Sequence, residues 1–95
     1  IAALLDLTLK PTAVAAAPAV IHETLAVTRA FTGCLGCDVL IDEADPTHVL
    51  VYERWDSPES DAAYRQFRST PEGASTLGTI LAAAPVLTKF AIADF

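Results

Sequence analysis

Seven residues, Val49-Leu50-Val51-Tyr52-Glu53-Arg54-Trp55, run into Asp56-Ser57-Pro58 and restrict the fold more than any other stretch. β-Branched and aromatic side chains dominate the run, so it is expected to be a strand that ends at a helix start. Successive strand residues point to opposite faces, which puts Glu53 and Trp55 on one face and Tyr52 and Arg54 on the other. Both faces mix a charged group with an aromatic ring, so neither reads as a plain solvent face. A sheet containing this strand should be covered by helices on one side and by a second subunit on the other.

The chain of 95 residues is short enough that one domain, 1–95, is expected. A domain of this size buries roughly 60–70% of the surface its unfolded chain exposes. Its apolar fraction is 53% without glycine, above the usual ~45–50% counted with glycine. One small monomer has little room for that much apolar surface, which again points to a homodimer interface. The formal net charge of −6 argues against nucleic acid or an anionic membrane as partner, because both require a basic face. No stretch approaches the ~20 uninterrupted apolar residues of a membrane span. Ile1–Leu9 lacks a basic segment ahead of its apolar run and a cleavage site behind it, so it is not read as a signal peptide. Two cysteines are too few for a disulfide framework, and a cytoplasmic protein with free thiols is expected.

Taken in order, Ile1–Leu9 alternates as a first strand. After the Lys10-Pro11-Thr12 break, Val14, Ala17, Ile21, Leu25, Thr28 and Phe31 recur at helical spacing up to Thr32-Gly33. Proline costs ~3 kcal/mol inside a helix but little in the first turn, so Pro18 leaves two options. The helix starts near Ala16, or it starts at Thr12 and bends. Leu35–Ile41 alternates as a second strand and forms a hairpin with Val49–Trp55 through Glu43-Ala44-Asp45-Pro46. Pairing Ile41 with Val49 and Val39 with Val51 brings Leu35 near Trp55. Ser57, Pro58, Glu59 and Asp61 make a helix start for a segment carrying Ala63, Tyr64 and Phe67 up to Ser69. Thr70-Pro71-Glu72 opens a second helical segment with Ala74, Leu77, Ile80, Leu81 and Ala84, and Val86–Phe95 is the last strand. This order predicts an α+β, ferredoxin-like sandwich (β-α-β-β-α-β) with a four-stranded antiparallel sheet. Its open face is expected to carry Asp6, Asp38, Arg54 and Lys89 among apolar residues, with Arg54 and Asp38 as an interface pair.

The run Gly33-Cys34-Leu35, the turn Asp45-Pro46, and Tyr52-Glu53-Arg54-Trp55 followed by Ser57 resemble the antibiotic biosynthesis monooxygenase (ABM) domain family. The spacing from Lys10-Pro11 to Gly33 fits as well, so the likeness extends over nearly the whole chain. The resemblance implies a dimeric α/β barrel, two ferredoxin-like sheets face to face, with a pocket between sheet and helices in each subunit. Members of this family include cofactor-independent monooxygenases acting on quinols and anthrones, haem-degrading oxygenases, an isomerase-type branch and many proteins of unassigned role. The alanine-rich, asparagine-free composition is of a kind that GC-rich bacterial genomes produce.

The resemblance nominates Trp55 and Tyr64, since polyketide-oxidising members line their site with a tryptophan on this strand and a tyrosine on the next helix. Trp55 matches directly, and Tyr64 matches if a few extra helix residues are allowed. Both rings could equally be core aromatics. Those members also place an asparagine four residues before the tryptophan, where this chain has Val51. The haem branch uses an asparagine, a tryptophan and an iron-ligating helix histidine; of these only the tryptophan is present here, since the chain has no asparagine and no histidine follows His48. Glu53, beside Trp55, is either a satisfied structural carboxylate or a base, and His48, at a strand start, is either a solvated or capped residue or, if the pocket reaches that end, a second base. His22 reads as a solvated residue. Cys34 and Cys37 have redox or zinc spacing, but on a regular strand they face opposite sides, which favours a structural role. Arg65 and Arg68 read as a solvated helix face.

The leading expectation is a monooxygenase that holds a small planar phenolic or quinol compound and lets its deprotonated form react with O₂, with neither metal nor other cofactor. Trp55 and Tyr64 would orient the substrate, and Glu53 or His48 would take the proton. The competing expectation is a non-catalytic small-molecule binding module on the same scaffold.

Overall fold

Four antiparallel strands, β1 (Ala2–Thr8), β2 (Cys34–Ile41), β3 (His48–Trp55) and β4 (Val86–Phe90), form one sheet in the order β2-β3-β1-β4. Helices α1 (Ala17–Ala30) and α2 (Pro58–Arg68) connect β1 to β2 and β3 to β4. The computed structural model describes residues 1–95, and its topology is that of the expected ferredoxin-like sandwich.

Helix α1 takes the first of its two options. It starts at Ala17 with Pro18 in the first turn, after a separate 3₁₀ turn over Pro11–Ala13. Its buried stripe is Ala17, Ile21, Thr24, Leu25 and Thr28, the i, i+4, i+7, i+8, i+11 pattern of one helical face. The helix gives way to a turn in which Gly33 has φ 92°, a left-handed conformation that glycine adopts without steric cost. A Cβ there would also collide with Ser60, at the start of α2. Helix α2 begins as expected: Ser57 Oγ accepts from the Ser60 backbone N–H at 3.1 Å, and Pro58 stands at the first helical position.

The hairpin register is the expected one for Ile41 with Val49 and Val39 with Val51. It breaks between Cys34 and Gly36, where a bulge pushes Leu35 out to 64% exposure. Cys34, not Leu35, therefore lies opposite Trp55, and Cys37 lies opposite Glu53. The bulge thus puts both cysteines on the helix-covered face, correcting the expectation that they face opposite sides.

Two further expectations are corrected in the C-terminal third. The stretch after Thr70 forms only a short 3₁₀ segment at Leu77–Ile80, not a helix from Thr70 to Ala84. Gly73, Ser75, Thr76, Gly78 and Thr79 are poor helix formers. The end of β1 competes for the same backbone: Leu9 bridges to Leu81, and Lys10 N–H donates to Ile80 O. The last strand ends at Phe90, leaving Ala91–Phe95 outside the sheet. Lys89 pairs with Ala3, which in turn pairs with Glu53, so it lies on the helix side and not on the open face.

That helix side holds two apolar clusters. One centres on Leu7, Ile21, Leu25, Val49, Val51 and Ile80, the other on Ala3, Trp55 and Tyr64 with Phe31 and Cys34 against them. The opposite face has no cover within the protomer, and Leu40, Val86 and Phe90 are exposed on it. Asp38 and Arg54 share that face without forming an ion pair, while Arg54 lies over the Tyr52 ring at 5.9 Å. No helix is long and apolar enough to cross a membrane.

Candidate functional site

Between the two clusters lies a cavity of about 200 Å³, bounded by the sheet, α1, α2 and the Ser75–Leu77 stretch. Strand alternation brings Leu5, Val51 and Glu53 to its floor. Helical spacing brings Tyr64, Arg65 and Arg68 to its wall. Asp61 joins them on the same buried stripe, at i, i+3, i+4 and i+7.

Glu53 is 2% exposed, although it is ionisable. Its Oε1 accepts from the Trp55 indole N–H at 3.1 Å and from Arg65 Nη2 at 2.5 Å. Its Oε2 takes no hydrogen bond from the protein and is not among the sealed-off polar atoms, so it remains free on a cavity-lining residue. Arg65 also donates to Asp61 Oδ1 from Nε at 3.2 Å and from Nη2 at 3.0 Å. Lys89 Nζ stands 2.6 Å from Asp61 Oδ2, close enough for charge pairing but not aligned as a hydrogen bond. Buried carboxylates are tolerated when countercharges and donors meet them, as here.

Tyr64 lines the cavity and is 3% exposed. Its hydroxyl is 2.6 Å from Thr28 Oγ1 and accepts from Arg68 Nε at 2.7 Å. The guanidinium groups of Arg65 and Arg68 lie 4.9 and 5.2 Å from its ring centre, within cation–π range. Trp55 packs on the same ring at 4.9 Å between centroids but does not itself line the cavity. The indole thus reaches the site through Glu53, which it holds.

Of the expected site residues, Glu53, Tyr64 and Trp55 come together and His48 does not. His48 pairs with Thr8 in the sheet and sits on the opposite face, between Asp6 Oδ1 at 3.0 Å and Asp42 Oδ2 at 2.9 Å. Those two carboxylates, Asp42 first, raise its pKa above the ordinary value, while His48 in turn holds the Asp42 carboxyl lower. Since the folded His48 pKa is raised, its stabilisation is complete below the unfolded value of about 6.5 and fades as pH rises through the folded value. The Asp42 contribution is lost only as pH falls through its depressed value, below about 3.9. The melting-temperature advantage of the wild type over His48→Gln should therefore be greatest near pH 5–6 and shrink toward alkaline pH. An advantage that grows with pH over that range would contradict the pairing.

Arg65 and Arg68 overturn the expectation of a solvated helix face, for both line the cavity. A signal was available in the sequence: once Tyr64 points inward, positions 61, 65 and 68 must follow it. Thr28, on the Ile21–Leu25 stripe of α1, was legible as inward-facing but not as a partner of Tyr64. The cysteines are free thiols, and burial followed by the charge of Glu53 pushes the Cys37 thiol up to about 12. Such a thiol stays protonated and unreactive at neutral pH. A second, apolar groove of about 350 Å³ runs between the start of α1 and the β2 edge, with only His22 and Arg29 as charged or titratable groups along it.

A sequence profile of the family described as antibiotic biosynthesis monooxygenase matches residues 1–75. The chain belongs to that family. Among solved structures, an antibiotic biosynthesis monooxygenase superposes with a TM-score of 0.78 at 18% identity, covering 97% of this chain and 98% of its own. A protein of Mycobacterium tuberculosis gives 0.78 at 22% identity, with 99% and 95% covered. A conserved protein of unknown function from Bacteroides thetaiotaomicron gives 0.74 at 23% identity, with 94% and 93% covered. At these identities the likeness establishes the fold of this ABM-family chain and leaves its chemistry to its own residues. No curated protein matches the chain significantly.

Proposed function

We propose that this ABM-family protein is a cofactor-independent monooxygenase for a small aromatic or quinol-type compound, working as one domain over residues 1–95. The observation that carries this reading is the Glu53 carboxylate on the cavity floor, with Oε1 fixed by Trp55 and Arg65 and Oε2 free. A base held by one oxygen and open at the other can take a proton from a substrate hydroxyl or an activated ring CH₂. The resulting electron-rich anion passes an electron to O₂, and recombination forms the new C–O bond. The net change replaces an activated ring CH₂ by C=O or, in a quinol, hydroxylates a ring C–H and leaves the hydroxyquinone; either way one O₂ is consumed and one water is released. Tyr64 supplies a ring edge and a hydroxyl to orient the substrate. The cavity is smaller than the ~300–1,000 Å³ of drug-sized sites, which favours compounds of one or two rings.

The same reading makes the protein a homodimer in the cytoplasm. Its support is the uncovered sheet face with exposed Leu40, Val86 and Phe90, which a second sheet would bury. One observation favours the alternative of a non-catalytic binding module: Val51, where oxidising relatives are expected to place an asparagine, presents an apolar group to the cavity. Oxygen-electrode assays with a panel of one- and two-ring quinols decide between them. Steady O₂ uptake coupled to product formation supports the oxygenase. Tight binding across the panel without uptake selects the binding module. Light scattering that returns one chain's mass at micromolar concentration would refute the dimer.

A further inference from the structure

The charges around the cavity do not cancel. Glu53 and Asp61 are met by Arg65 and Lys89, and each of these four groups has an opposite charge within 3.0 Å. Arg68 forms no ion pair. Its guanidinium donates from Nε to Tyr64 Oη at 2.7 Å, from Nη2 to Thr24 O at 2.8 Å and Thr28 Oγ1 at 3.1 Å, and from Nη1 to Gly73 O at 3.2 Å. All four acceptors are neutral oxygens, and they come from α1, from α2 and from the loop after it. They hold the group in place without neutralising it. Of the five N–H donors of a guanidinium, one on Nη1 is left over. Glu23 lines a separate surface pocket that Arg68 also lines, but the two form no ion pair.

The cavity therefore carries one uncompensated positive charge, in a chain whose overall charge is −6. We propose that its ligand bears an anionic oxygen, a carboxylate on a small planar ring, which Arg68 takes beside the Tyr64 hydroxyl. Arg68 is fixed in advance by its four bonds, so little ordering is needed when the anion arrives. The leftover N–H and the unpaid charge both favour a carboxylate over a neutral group of the same shape. Glu53 would repel such an anion at the other wall, but its charge is already taken by Arg65. The wall of the cavity formed by the end of α2 thus suits an anion, and its β3 floor, with Glu53 Oε2, suits a proton donor. A hydroxyarene carboxylate satisfies both. The inference rests on the oxygenase reading only in placing the ligand in the same cavity.

Titration calorimetry with 1-hydroxy-2-naphthoate and its carboxamide tests it. The wild type should bind the acid at least about tenfold more tightly than the amide, and added salt should weaken the acid alone. Arg68→Gln should erase the difference, and Arg68→Lys should keep part of it. Equal affinity for acid and amide, binding of neither, or equal weakening of both in Arg68→Gln would overturn the proposal. Arg68 also ties α1 to α2, so if Arg68→Gln does not fold, the acid-to-amide ratio and its salt dependence in the wild type decide the matter without any variant. Oxygen uptake separates this inference from the reading beneath it. Turnover of 1,4-dihydroxynaphthalene with no preference for the acid leaves the oxygenase standing and removes the anion site. A clear preference for the acid without any oxygen uptake does the reverse.

Discussion

Replacing Glu53 with glutamine should lower the rate of O₂-dependent turnover by about 10²–10⁴-fold, the usual contribution of a positioned base. Glutamine keeps the shape of the side chain and an oxygen that can accept from the Trp55 indole and Arg65, so the geometry of the floor survives. What disappears is the ability of the second oxygen to take a proton. Arg65 loses one of its two carboxylate partners and keeps Asp61. The stability cost should therefore stay below the ~3–5 kcal/mol of breaking an isolated buried pair. The loss should appear in kcat, with KM changed little, because the base acts on the bound substrate. Steady-state kinetics of Glu53→Gln beside a melting curve makes the test. Turnover within about threefold of the wild type in a folded variant would move the proton-accepting role elsewhere.

Most of this site could be read from the chain, and the part that could not has an identifiable cause. Strand alternation alone puts Glu53 and Trp55 on one face and under one helix layer. Ser57-Pro58 sets the start of α2, and that start fixes which face carries Tyr64. What alternation cannot supply is an irregularity in the alternation itself. The bulge at Leu35 reverses the facing of Cys34, and its neighbours Gly33 and Gly36 are ambiguous between a turn and a strand in the sequence. Arg65 and Arg68 were misplaced for a different reason. Charged residues near a helix end are ordinarily solvated and well placed against the helix dipole, so the inward reading loses on priors unless tertiary partners are known. Those partners, Glu53 and Thr24, lie 12 and 44 residues away. The 3₁₀ segment at Leu77–Ile80 follows the same rule: apolar spacing suggested a helix, but bonding to the end of β1 decided the backbone. Long-range pairing outweighed local pattern wherever the two disagreed.

Trp55→Ala should be the most destabilising single substitution in the chain, at about 3–5 kcal/mol. The indole is 1% exposed and forms the centre of the smaller apolar cluster. It stacks on Tyr64 at 4.9 Å with planes 32° apart and meets Phe31 edge-on at 6.1 Å. Such aromatic pairs contribute about 0.5–1.5 kcal/mol beyond the area they bury. A domain of this kind has about 5–15 kcal/mol in total, so the loss takes at least about a fifth of it and at the low end of that range nearly all of it, and melting should drop by on the order of 15–30 °C. Trp55→Phe separates packing from chemistry. Phenylalanine retains most of the ring contact but has no N–H for Glu53 Oε1, leaving that oxygen to Arg65 alone. Its stability cost should be well under that of alanine, about 1–2 kcal/mol, while turnover falls because the base is less firmly aimed. Thermal melts and oxygen uptake on both variants resolve the two roles. A loss under about 1 kcal/mol for Trp55→Ala would mean that Ala3, Tyr64 and Phe31 close over the gap, and the indole would then not be what holds the cavity floor in place.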